Sequence, residues 1–333
     1  MKVLLLVRSL ESPSARYRIL QYLPAIQSSG IETQVECLPH GWLARRCLFR
    51  RASAFDVVLL QKRLLPLHAI RILRRYAKRL IYDFDDAVLF RSPGKGGAES
   101  ATRRRRFRAI VGAADVVFAG SPYLKEIAAP FAKRVVVQPT VIDPTKYNQA
   151  ARVPKNSGKI TIGWIGSRTT MRYLLSLRDA LEHLAGRLPN LQLKIVSDAF
   201  MDLEKMPVIK KPWSEEDEAA DVAGFDIGIA PSFDDPWSRG KCGFKILQYM
   251  ACRLPVVCTP VGVQSDMVAD GENGFWATTP EEWVDRLARL AESPEERIRM
   301  GHASRKRLGE RYSLAHWAPR LTVLLAEIGA AHS

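Results

Sequence analysis

The sequence predicts an α/β protein made of two doubly wound, parallel-sheet domains in tandem. Three observations predict it. Short apolar runs of strand length recur, stretches with helical apolar spacing separate them, and one polar segment, ARVPKNSGK (151–159), interrupts the rhythm. KVLLLV (2–7) reads as a strand buried on both faces. Ile19, Leu20, Tyr22, Leu23 and Ile26 follow at helical spacing. DVVLLQ (56–61), RLIYDF (79–84), DVVFAGS (115–121) and RVVVQPT (134–140) read as further strands, with helices over 65–78 and 98–113 between them. Beyond the polar segment, ITIGWIGS (160–167), LQLKIVSD (191–198), FDIGIAPS (225–232) and LPVVCTPVG (254–262) restart the pattern. Helical spacing over 279–292, 294–311 and 314–329 closes it. The expected domains are 1–150 and 151–311, facing a central cleft at the C-terminal ends of both sets of strands, where open parallel sheets bind ligands.

The charge is unevenly spread. The 333 residues carry 50 Lys and Arg against 35 Asp and Glu, a net +15. Residues 1–150 hold 26 basic and 11 acidic side chains, and residues 151–333 hold 24 of each, so the first half carries the whole excess. Such asymmetry points to an anionic surface or ligand for that half. With 47% hydrophobic and 26% charged residues, the chain is neither a disordered tail nor membrane-embedded. No apolar run approaches the ~20 residues that span a bilayer. Arg8 cuts short the first apolar run, so a signal peptide is not expected. The five cysteines form no CxxC pair, which argues against a disulfide scaffold and against zinc, and suits the cytoplasm.

Four stretches carry chemistry. In GKCGFKILQYMACRLPVVCTPVG (240–262) a glycine loop opens a helix from about Gly243 to Cys252. Unpaired N–H groups and the helix dipole make such a start an anion site, and Gly243 lets the backbone approach. Lys245, in the first turn, opposes the dipole unless an anion lies between them; otherwise it is a surface lysine. In GWIGSRTTMRYL (163–174) a strand runs into the Gly166–Ser167 turn, with Arg168 and Arg172 on one face if the helix has begun. This is neither a Walker loop nor a dinucleotide fingerprint. In YDFDDA (82–87), Asp83 and Asp85 share a face in strand geometry and Asp86 points away. These carboxylates suit a general base, a sugar hydroxyl or a metal, or simply pairing with Arg79 and Arg91. In TRRRRFRAIV (102–111) arginines flank Phe107 on a helix, and Arg71, Arg74, Arg75, Lys78 and Arg79 precede it. A basic face broken by an aromatic ring suits an anionic membrane. No nucleic-acid motif accompanies it, so nucleic acid is not an expected partner.

These residues resemble the large family-four, group 1, glycosyltransferases of the GT-B fold, with two Rossmann-like domains. The likeness runs through SPSARYRILQYLP (12–24), LIYDFDD (80–86), WIGSRTT (164–170), FKILQYMACRLPVVCTPVG (244–262) and DGENGFW (270–276). It implies retaining transfer of a sugar from a nucleotide diphosphate sugar, UDP- or GDP-linked, in cell-surface polysaccharide or glycolipid synthesis. It implies a donor site in the second domain, and in the first a glycan or lipid-linked acceptor. It also implies that no metal is needed and that the final helix (312–330) packs back on the first domain. Gly243, Phe244 and Lys245 fall where the family contacts the diphosphate, and Gly166 and Ser167 at its other phosphate contact. Arg168 and Arg172 stand beside that turn, and Lys245, Asp85 and Asp86 are the catalytic candidates. Two positions depart: Gly240 and Gln248 replace the family's pair of glutamates eight residues apart. Gln248 retains the capacity to bond a ribose hydroxyl, and Asp234 or Asp235 is the nearest substitute for the missing carboxylate. The alternative is a non-catalytic sugar-nucleotide or glycan-binding protein on the same scaffold.

Overall fold

A computed structural model describes residues 1–91, 99–148 and 158–330. The chain divides into two compact units. Unit 1 comprises Met1–Val141, Asp235–Cys242 and Leu314–Ser333; unit 2 comprises Ile142–Asp234 and Gly243–Ser313.

The first part of unit 1 alternates β1 (Lys2–Val7), α1 (Pro13–Arg18), α2 (Leu23–Ser28), β2 (Glu32–Cys37), α3 (Trp42–Arg51), β3 (Val57–Gln61), α4 (Leu67–Tyr76), β4 (Arg79–Phe84), α5 (Ala101–Ala113), β5 (Val116–Ala119), α6 (Pro122–Ala128) and β6 (Val135–Val137). The six strands are parallel in the order β2-β1-β3-β4-β5-β6. One sheet face packs on α3 to α6 through residues such as Phe49, Leu73, Ile110 and Leu124. The helix expected over 19–26 is broken. Ile19 leaves the helical region, at φ −125° and ψ −65°, and Pro24 has no N–H to bond residue 20. Phe107 does not lie on the basic face of α5. It is fully buried, packed edge-on against Phe84 at 5.3 Å, because the sheet core claims that side of the helix.

Unit 2 runs β7 (Ile160–Ile165), α7 (Met171–Leu175), α8 (Arg178–Arg187), β8 (Leu191–Ser197), β9 (Val208–Pro212), α9 (Glu218–Ala223) and β10 (Ile227–Ala230). After α10 (Pro236–Arg239) come α11 (Phe244–Ala251), β11 (Val256–Cys258), α12 (Val263–Met267), β12 (Gly274–Trp276), α13 (Pro280–Glu292), α14 (Pro294–Arg311) and α15 (Leu314–Ala330). Its parallel strands lie in the order β12-β11-β10-β7-β8-β9. Counted from its own first strand, this is the Rossmann order 3-2-1-4-5-6.

The helices α10 and α15 belong to unit 1. Ala318, Leu321, Leu325 and Ile328 of α15 join Leu5, Val57 and Leu59 on the second face of its sheet. The division at 141/142 falls ahead of the expected 150/151, because described residues of the segment 142–148 pair with others of unit 2. The Ile142 N–H donates to the Tyr312 carbonyl at 3.1 Å, and the Tyr147 hydroxyl donates to Glu218 at 3.1 Å. The expected linker, 151–159, lies outside the described residues except for 158–159.

Candidate functional site

In unit 2 the strand order reverses between β7 and β10, the place where open parallel sheets bind ligands. Tyr249 of α11 closes that point. The Ile165 N–H donates to its hydroxyl at 3.2 Å, and the hydroxyl donates to the Ile229 carbonyl at 3.1 Å. Gly228 makes room for the ring, since a Cβ there would lie 2.5 Å from it. Burial raises the phenol well above its ordinary value, so it remains a neutral donor.

With α11 held there, its first turn is set. The N-cap is Gly243, at φ +66° and ψ +22°. A Cβ on Gly243 would meet Met267 Sδ at 2.7 Å, so conformation and space both require glycine. Lys245 Nζ rests 4.4 Å from the ring centroid of Trp164, a fully buried residue of β7. The same indole lies under Gly166, where a Cβ would come within 2.4 Å of it. Trp164 thus brings together Lys245 and the Gly166–Ser167 turn. Phe244 opens the helix between Gly243 and Lys245. Gln248, in the next turn, is 2% exposed, and its Nε2 has no hydrogen-bond partner among the described residues. The Ser167 N–H donates to Thr170 Oγ1 at 3.1 Å, and its hydroxyl lies 2.9 Å from Thr169 Oγ1.

The two arginines do not share a helix face, because α7 begins only at Met171. Arg168 turns to Asp198: its N–H donates to Oδ1 at 2.6 Å and its Nη2 to the carbonyl at 2.9 Å. Arg172 lies over the rings of Tyr173 (4.9 Å) and Phe233 (4.8 Å). Aromatic and acidic partners from elsewhere in unit 2 therefore separate two residues that spacing alone would join.

Unit 1 gathers charge at the C-terminal ends of β3 and β4. There, β4 ends at Phe84, so Asp85 and Asp86 lie beyond strand geometry. Asp83 is buried, accepting from Arg18 Nε at 2.8 Å and also pairing with Nη2. Lys62, in the left-handed region at φ +55°, donates to Ser14 Oγ at 2.9 Å and forms ion pairs with Asp85 Oδ1 at 2.9 Å and with Asp86. Lys241 reaches Asp86 at 3.5 Å, its ammonium stacked 4.5 Å from the Trp237 ring. Arg18, Lys62 and Lys241 thus take the place of the expected Arg79 and Arg91. Burial works to raise the Asp85 carboxyl, but Lys62 and Arg18 outweigh it and hold it below its ordinary range. Asp85 is 4% exposed, whereas the Asp86 side chain is 18% exposed. Gly240 lies against Ala87, where a Cβ would come within 2.4 Å, so no carboxylate fits at that position. Asp235 caps α10, accepting from the Ser238 N–H at 2.8 Å, and is not free to replace it. Lys62 lies outside the quoted motifs, and Trp164, Lys241 and Tyr249 lie within them, but only their tertiary neighbours mark their roles.

Among the described residues no helix is long and apolar enough to cross a membrane, and no three or more His, Cys, Asp or Glu side chains are grouped to hold a metal.

Two Rossmann-like units of this kind define the GT-B fold, which solved structures share over nearly the whole chain. Residues 159–293 match the model of the family described as glycosyl transferases group 1. A D-inositol 3-phosphate glycosyltransferase of Pseudarthrobacter chlorophenolicus is 30% identical over 115 residues, 33% of this chain. The chain spans only 25% of that relative's length in the match. Sucrose-phosphate synthase of Thermosynechococcus elongatus superposes with a TM-score of 0.74 at 14% identity, covering 99% of each chain. HepE of Anabaena, solved with UDP and glucose, gives 0.72 at 16% identity over 98% of this chain and all of that one. Likenesses this distant speak for the fold alone.

Proposed function

We propose that the chain is a retaining hexosyltransferase. It moves a sugar from a nucleotide diphosphate sugar to a glycan or lipid-linked acceptor in cell-surface glycan synthesis. Unit 2 holds the donor, unit 1 the acceptor, and the reaction needs no metal ion. The protein works in the cytoplasm, peripheral to the inner face of the plasma membrane, where its basic half meets anionic lipid. One observation carries the reading: Lys245 lies on Trp164 beside the Gly166 turn, in the first turn of α11. During transfer the bond between the anomeric carbon and the diphosphate oxygen breaks. An acceptor oxygen takes its place, its proton leaving with the diphosphate. The N–H groups of α11 and the Lys245 ammonium meet the charge that develops there. Gln248 Nε2, a buried donor with no partner among the described residues, takes a ribose oxygen. Asp86 accepts from an acceptor hydroxyl. Asp85, held ionised by Lys62, positions that lysine and is a poor proton acceptor near neutrality. The UDP and UDP-glucose present in structures of HepE support a uridine donor, with GDP the other candidate.

Titration calorimetry with UDP, GDP and their sugars tests this. Binding of one nucleotide series by the wild type, weakened about 10- to 100-fold in Lys245→Ala, is the expected result. Unchanged affinity in the variant removes the phosphate assignment. The absence of a carboxylate at Gly240 favours a second reading, a sugar-nucleotide or glycan-binding protein without turnover. Binding with neither transfer nor slow donor hydrolysis across a donor panel selects it.

A further inference from the structure

Unit 1 holds a groove of about 1190 Å³ between α4 and α5. Arg71, Arg74 and Arg75 line one wall; Arg104, Arg105 and Arg108 line the other. Ile70 and Ala109 contribute apolar surface. We propose that this groove receives the phosphate headgroups of an anionic phospholipid bilayer and docks unit 1 on it. The inference deepens the membrane reading above and rests on it, not on glycosyl transfer.

Charge is the first argument. Arg74 is neutralised by Asp115 at 2.6 Å, and Arg104 by Glu99. Among the described residues Arg71, Arg75, Arg105 and Arg108 have no acidic partner, and all four are exposed. Four like charges facing one groove repel one another unless an anion joins them. Size is the second. Each wall's arginines span about one helical turn, roughly 6 Å of rise. A cluster that compact fits one or two headgroup phosphates rather than an extended polyanion. The apolar lining is the third, because it suits the carbon skeleton next to a lipid phosphate. Finally, the neighbouring helix α3, which packs against α4, exposes Trp42 (57%) and Leu43 (63%). Such side chains partition into a bilayer interface, and a soluble anion would leave them in water.

The test is cosedimentation of the full chain with phosphatidylcholine vesicles, with and without phosphatidylglycerol. Two variants of equal charge are compared: Arg71→Gln/Arg75→Gln/Arg105→Gln in the groove, and Lys2→Gln/Lys125→Gln/Arg134→Gln elsewhere on unit 1. A basic residue near an anionic surface is worth about a fivefold change in partition, so the groove variant loses on the order of a hundredfold. The expected result is that loss, at least tenfold greater than in the control variant by roughly the same arithmetic, with nucleotide affinity unchanged. Equal losses in both variants overturn the groove while leaving membrane binding in place. No retention of the wild type by phosphatidylglycerol vesicles overturns both. Full competition by soluble glycerol phosphate at equal phosphate, or tighter groove-dependent binding to duplex DNA than to vesicles, overturns the lipid assignment.

Discussion

At the scale of single residues, the two buried charge systems of unit 1 make different demands. Arg18 and Asp83 are 5% and 2% exposed, and each depends on the other. Arg18→Met leaves a buried carboxylate without its cation, which costs about 3–5 kcal/mol near neutral pH. Burial already pushes the Asp83 carboxyl up. A group raised in this way gives up stability as pH rises through its titration. The penalty in the variant therefore shrinks toward acid pH, as Asp83 takes up a proton; urea denaturation at several pH values reads this. The weakening of nucleotide binding in Lys245→Ala belongs to the same scale. The positions of Gly243 and Lys245 at a helix start are legible from spacing, because a glycine loop running into an apolar-periodic stretch is a local signal. Trp164 and Lys62 are not legible. The role of Trp164 comes from α11 lying across β7, and that of Lys62 from the meeting of the β3 and β4 ends with Ser14. Both are products of topology rather than of local pattern.

At the scale of elements, the central strands read directly from sequence, with β4 falling at Arg79–Phe84 and β7 beginning at Ile160 as expected. Continuous apolar runs identify strands covered on both faces. The strands without such a signal are β2, β9 and β12, and all three are edges. In β9 the residues VIKKP are half-exposed to exposed, and β12 has three residues. An edge strand needs no continuous apolar run, so pattern reading misses it. The long C-terminal helices were legible because their caps are local. Helix α13 starts with a full capping box: the Glu282 N–H donates to Thr279 Oγ1 at 3.3 Å, while Glu282 accepts from the Thr279 N–H at 3.2 Å. Hydrogen bonds from the Thr278 hydroxyl and from the Thr278 and Thr279 N–H groups hold Glu282 below its ordinary range. A depressed carboxylate stabilises above its unfolded value and loses that contribution as pH falls through the folded one. Glu282→Ala then costs at most about 1 kcal/mol at neutral pH, the site being solvent-exposed. The cost vanishes in strong acid, as paired thermal melts at the two pH values detect.

At the scale of the whole molecule, the +15 is a property of residues 1–150 alone. Much of it concentrates further, on two helices around one groove. Attraction of that kind fades with ionic strength, since the screening length falls from about 30 Å at 0.01 M salt to about 8 Å at 0.15 M. Vesicle retention therefore drops steeply over that range. Unit 1 is also discontinuous in sequence, with α15 covering a sheet face laid down at the start of the chain. A ribosome delivers Leu5, Val57 and Leu59 long before Ala318, Leu321, Leu325 and Ile328. During synthesis that face is covered only in part, by residues such as Ile19, Tyr22 and Ile26, while the whole of unit 2 emerges and folds, so the domain begun first is completed last. A partly uncovered apolar sheet is an invitation to chaperones and to aggregation. Truncation after Ser313 makes this state permanent: the soluble fraction collapses on expression, while limited proteolysis of what remains yields an intact unit 2 core.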